Sequence, residues 1–143
     1  MSNLYKQYRT DPNLETSGIF LNYGPNSKGD PMRIRIARAG GANKGFSKAL
    51  ERITRPHRRA IQTGTLSNDL SDSLMKGAFA ETVILGWENI EGPEGEILDF
   101  NKENVIRVLD DLPDLYADLR EQANNVALFR ETILDDDLGN SGL

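Results

Sequence analysis

Few residues in this chain could do chemistry: one histidine, several carboxylate pairs, a glycine-rich turn and a run of arginines. His57 lies in Arg55-Pro56-His57-Arg58-Arg59. Three neighbouring arginines disfavour its protonated form, and no carboxylate stands nearby in sequence to orient the ring. A surface or helix-start histidine is the better reading. Asp110/Asp111, Asp114/Asp118 and Asp135 to Asp137 are the carboxylate clusters. Two carboxylates could serve a hydrolase, and the triple Asp could hold a divalent cation, but a cage needs ligands that converge. The triple Asp sits in a glycine-containing tail, and Asp114 and Asp118 share the polar side of a helix, so solvated acidic surface is the reading for all three. Ala39-Gly40-Gly41-Ala42-Asn43-Lys44-Gly45 precedes a helix but lacks both GxxxxGK[ST] and GxGxxG. It reads as a strand-to-helix turn built from small residues, not a phosphate cradle. No cofactor, metal site or enzymatic activity is expected.

The arginines carry more information. Residues 28–59 hold ten Lys/Arg against two acidic residues, a net +8. Residues 66–143 hold five against eighteen, a net −13, within a whole-chain charge of −5. Such a chain can fold its halves together, stack head to tail with its own copies as a homo-oligomer, or bind two partners of opposite charge. Arg33, Arg35, Arg52, Arg55, Arg58 and Arg59 are the candidate partner-binding residues. Three readings stay open for them: a solvated or internally paired face, a protein-partner surface, and a phosphate-neutralising patch for nucleic acid. The acidic total and the scarcity of aromatics between the arginines weigh against nucleic acid.

These residues need positioning by local structure. The spacing predicts an α+β fold, predominantly helical: an N-terminal β-hairpin, a helix pair, a small second hairpin and a C-terminal helix pair. Residues 1–17 read as an extended arm, 18–134 as one domain, and 135–143 as an acidic tail that should be mobile. Ile19–Tyr23 and Met32–Ile36 are the first hairpin, the latter alternating isoleucine with arginine. Asn43 is a plausible cap for a helix with Phe46, Leu50 and Ile53 on one stripe. Pro56 interrupts or restarts it and Gly64 ends it. Ser67 caps a helix whose stripe includes Leu74 and Phe79. Trp87–Ile90 and Ile97–Phe100 flank the turn Gly92-Pro93-Glu94-Gly95. Asn101 caps a helix with Leu109 inward, and Pro113 opens a last helix carrying Leu115, Leu119, Ala123, Val126 and Phe129 or Ile133. The expected core is Phe46, Leu50, Leu74, Phe79, Trp87, Phe100, Leu109, Leu119 and Phe129. Trp87 reads as a core anchor; exposed, it would mark a binding hot spot.

There is no run of 18 apolar residues, so no membrane span is expected, and the first residues lack the apolar stretch of a secretory signal. The absence of cysteine excludes disulfide and thiolate chemistry and fits a reducing cytoplasm.

The stretch from Gly86 to Phe129 also resembles the tail assembly chaperones of tailed bacteriophages, particularly those with long flexible tails. The pattern is Gly-Trp-Glu-Asn, an acidic glycine hairpin, Phe-x-Lys-Glu-Asn, a Leu-rich helix, Asp-Leu-Pro-Asp-Leu, and a helix ending near Ala-Leu-Phe-Arg. The likeness extends to IRIARAGGANKGFSKALE and RPHRRAIQTGTL and covers residues 9–134. It implies a non-enzymatic assembly factor of the host cytoplasm. Such a factor would coat the tape measure protein, keep it soluble and help recruit tail tube subunits. A virion structural or connector protein is the alternative, and a small nucleic-acid-associated phage protein a weaker third.

Overall fold

The computed structural model describes residues 3–130. The acidic tail at 135–143 and Ile133 lie outside them. The chain begins with two short helices, α1 (Leu4–Tyr8) and α2 (Pro12–Ser17), where an extended arm was expected. The local chemistry explains this. Asn3 and Asp11 each cap the following turn with a side-chain oxygen, and Pro12 occupies the first turn of α2, where its missing N–H costs nothing. The segment is also tied to the body. Asp11 donates its N–H to the Phe129 carbonyl at 2.7 Å, and Arg38 donates its N–H to the Glu15 carbonyl at 3.0 Å.

Strands β1 (Ile19–Pro25) and β2 (Pro31–Ile36) form the antiparallel hairpin. The side-chain oxygen of Asn26 accepts from the amides of Lys28 and Asp30 and holds the connecting loop closed. Alternation along β2 places Ile34 and Ile36 in the core and Arg33 and Arg35 on the opposite face of the sheet.

Helix α3 (Lys44–Thr54) follows. Asn43 does not cap it. Its amide instead donates to the carbonyls of Arg38 and Thr82 and so joins the turn to the end of a later helix. At Pro56 the helix tightens into a single 3-10 turn, Arg55–His57, and resumes as α4 (Arg58–Thr63). Gly64, at φ +69°, closes α4 in the left-handed conformation that glycine adopts without strain. Ser67 caps α5 (Asn68–Thr82) through Leu70 N–H at 3.1 Å. α3 packs along α5, with the rings of Phe46 and Phe79 edge to face at 6.4 Å.

Strand β3 (Ile84–Glu88) pairs antiparallel with β2, so the sheet order is β1-β2-β3. The sequence placed Trp87–Ile90 in a small hairpin of its own. In the structure Trp87 and Glu88 extend the first sheet, and the second hairpin reduces to one bridge, Glu91 to Ile97. β2 had an open edge with an apolar inner face, and burying β3 there satisfies more backbone and apolar surface than a free two-stranded ribbon could.

α6 (Lys102–Asp111) and α7 (Pro113–Ala123) complete the helical side, followed by a 3-10 turn at Val126–Phe129. Asn101 caps α6, its side chain accepting from Asn104 N–H at 2.8 Å. Asn101→Ala should cost about 1 kcal/mol of stability. That would be read as a lower urea midpoint at unchanged slope.

The core lies between the sheet and α5, α6 and α7. Phe79, Leu109, Leu119 and Phe129 are buried in it with Ile36, Val83 and Val105. Phe46, Leu50, Leu74 and Trp87 are half-buried at its margin. Phe100 is 41% exposed and lies on the rim, its ring edge to face with Trp87 at 5.5 Å. With 97–100 no longer a paired strand, Phe100 has no apolar layer above it. The Trp87 indole N–H donates to the Leu98 carbonyl at 2.9 Å, which fixes the ring as a junction anchor.

Candidate interaction surface

The six arginines do not gather into one patch. The sheet separates them into two groups. Arg33 and Arg35 stand on its outer face. Arg33 donates through Nε and Nη2 to one carboxylate oxygen of Glu88, at 3.1 and 2.6 Å, and its guanidinium lies 4.6 Å from the centre of the Phe20 ring. Arg35 donates to the Ser17 carbonyl at 3.3 Å. Both are therefore largely committed within the chain.

The other four lie on α3, the 3-10 turn and α4. Arg52 pairs with Glu81 of α5, and Lys102 reaches the same carboxylate at 3.4 Å. These cations and their hydrogen bonds hold the Glu81 carboxyl below its ordinary value of 4.5. Arg55 is 3.7 Å from Glu51, one turn back. The side chains of Arg58 and Arg59 are exposed and make no ion pair or hydrogen bond among the described residues. α4 has no buried residue, and Ile61 on it is 46% exposed, as is Leu70 of α5 at 38%. α4 thus carries two free guanidinium groups and the uncovered side chain of Ile61. Across the molecule, Asp111 at the end of α6 and Asp114 and Glu121 on α7 are exposed, also without ion pairs among the described residues.

The remaining chemical candidates are accounted for locally. His57 is half-buried in the 3-10 turn. Asp118, read from sequence as solvated, accepts from the Tyr23 hydroxyl at 2.9 Å and from the Gln122 amide at 3.3 Å. Burial and that carboxylate raise the Tyr23 phenol well above its ordinary range. Asp110 pairs with Lys76 at 3.0 Å. Among the described residues no three His, Cys, Asp or Glu side chains are placed to hold a metal ion. No described helix is long and apolar enough to cross a membrane.

Sequence reasoning missed one cluster. Glu15 of α2 is buried and pairs with Arg38 at 2.6 Å, while the Thr10 hydroxyl donates to its other oxygen at 3.0 Å. Burial alone would raise the Glu15 carboxyl. The bonds from Arg38 and Thr10 outweigh it and hold the group below its ordinary value of 4.5. The glycine-rich turn packs against this pair. Gly41 sits at φ +57°, and a Cβ there would run into the Glu15 carboxylate. The need for glycine at 41 therefore comes from a side chain 26 positions upstream, in addition to the turn itself. A glutamate and an arginine 23 residues apart give no local pattern by which to find the pair.

No curated protein and no solved structure matches this chain. A family profile does, over residues 41–140, which is more than half of the 143 and includes every helix from α3 to α7. The chain therefore belongs to the YdaY prophage protein family and is phage-derived.

Proposed function

We propose that this protein is a non-enzymatic tail assembly chaperone that binds the phage tape measure protein and keeps it soluble while tail tube subunits are recruited. The observation that carries the reading is the bipolar surface. Free Arg58 and Arg59 share α4 with exposed Ile61, Leu70 is exposed in the first turn of α5, and unpaired carboxylates lie on α6 and α7. A chaperone for a long, partly apolar rod needs aliphatic surface to receive amphipathic helices and charge to keep the complex in solution. The phage origin and the likeness of residues 86–129 to such chaperones support the same reading.

The test is co-expression. Tape measure protein made alone should be insoluble, and made together with this protein it should move to the soluble fraction. Reversing Arg58 and Arg59 to Glu should reduce that fraction without unfolding the chaperone, because neither residue has an internal partner. Arg52 and Arg55 are poorer probes, since reversing them also breaks ion pairs to Glu81 and Glu51. Raising the salt should weaken the charged part of the contact, as the Debye length shrinks from about 10 Å at 0.1 M to about 3 Å at 1 M. Tape measure protein that stays insoluble with this protein folded and in excess overturns the assignment.

A further inference from the structure

The sheet has two edges, and they are treated differently. Beside β3, the segment 90–98 folds back: Leu98 donates its N–H to the Ile90 carbonyl at 2.8 Å, and the Trp87 indole reaches the Leu98 carbonyl. β1 has a partner on one side only, which is β2. In an antiparallel ladder alternate residues turn their N–H and C=O groups away from the partner. Within Ile19–Asn22 half of the backbone groups therefore point outward, and among the described residues no backbone group meets them. Natural edge strands usually carry charge that blocks pairing with another chain. Ile19–Pro25 carries none, in a chain that is 27% charged, and its proline and register shift are confined to the Asn22–Pro25 end, which leaves Ile19–Asn22 regular. Phe20 is 50% exposed, and a shallow groove lined by Leu21, Asn22, Tyr23, Asp118 and Gln122 runs between this edge and α7.

We propose that β1 is a homodimer edge, pairing antiparallel with β1 of a second copy to join two three-stranded sheets into one of six. The strand is self-complementary in the way a two-fold contact demands. With Leu21 on the axis, Ile19 falls opposite Tyr23 of the other copy and Phe20 opposite Asn22. No like charges meet, and apolar residues face apolar residues on the helical side. Each copy's helices lie on the same side of the joined sheet, so Ile19, Leu21 and Tyr23 extend one core layer across the junction. This surface is distinct from the charged residues of α4, and its test separates from the chaperone test.

The experiment is sedimentation equilibrium of the full chain over a concentration series, up to that of an NMR sample. The wild-type protein should reach twice the mass of one chain, with an equilibrium that high salt does not weaken. The variant F20E/N22E should stay at the mass of one chain with an unchanged circular dichroism spectrum. Its glutamates face Arg35 and Arg33 across the β1–β2 ladder within each monomer, but face each other across the proposed junction. Mixing it with F20K/N22K should restore the doubled mass, because the junction then pairs Glu with Lys. The F20E/N22E result stands by itself if the lysine variant fails to fold. A wild-type protein that remains monomeric throughout overturns the proposal. So does a dimer that F20E/N22E leaves intact, or one that salt dissolves, since those would place the contact on the charged faces.

Discussion

Phe79→Ala should lower the unfolding free energy by about 3–5 kcal/mol, the range for removing a fully buried aromatic side chain. Phe79 is 1% exposed and sits where three elements meet. Its ring is edge to face with Phe46 of α3 at 6.4 Å and with Tyr116 of α7 at 5.5 Å, and it shares one buried cluster with Val83 and Ile84 at the junction of α5 and β3. Truncation would leave a void that cannot close without moving α3 or α7, so the cavity cost adds to the lost transfer energy. Denaturant titration of the purified variant is the measurement. A loss below about 0.5 kcal/mol, the size of an ordinary surface substitution, would be incompatible with this packing.

Arg38→Ala should cost about 3 kcal/mol at neutral pH, because it strands the Glu15 carboxylate in a buried site with only neutral donors left, the Thr10 hydroxyl and the Ala42 N–H. The effect has a pH signature. In the wild-type protein Glu15 titrates below its ordinary 4.5, so the folded state binds that proton less readily than the unfolded chain. Its contribution to stability is present above that value and is lost as the pH falls through the lower folded one. Without Arg38, only the Thr10 hydroxyl and the Ala42 N–H oppose burial, so the carboxyl rises relative to the wild-type protein. The variant is then penalised most when Glu15 is ionised. The gap between the two proteins should be widest at neutral pH and shrink on acidification below about 4.5. Unfolding curves at neutral and acid pH would show this, and a gap independent of pH would rule out Glu15 as the cause. Arg38→Lys should recover part of the loss by restoring one charged donor.

The elements legible in the sequence were those set by short-range chemistry. Ser67, Asn101 and Pro113 mark helix starts because a cap or a first-turn proline acts within three residues. Pro56 tightens its helix, Gly64 ends the next, and Gly95 takes φ +82° in its turn, each through its own backbone. The β2 alternation separates Ile34 and Ile36 from Arg33 and Arg35 because side chains change face at every residue. Asp11-Pro12 carried the same kind of start signal for α2.

Tertiary structure decided what depends on distant partners. The pairing of β3 with β2, instead of with residues 97–100, is a choice between two edges, and local propensity is the same for both. That choice left Phe100 on the rim. Asn43 gave up a capping role because two carbonyls, at Arg38 and Thr82, converge on its amide only in the folded chain. The +8 stretch is continuous along the sequence, yet its arginines end on opposite sides of a sheet, most of them paired. Only Arg58 and Arg59 remain free among the six. The sequence by itself determined the chain's helical bias, its caps and breaks, and its charge imbalance, since each depends on neighbours or on composition. Which charges stay available, which strand edge stays open and why Gly41 must be glycine were decided in three dimensions. The reason is physical: burial, ion pairing and sheet order are interactions between residues tens of positions apart, and no local pattern encodes the partner.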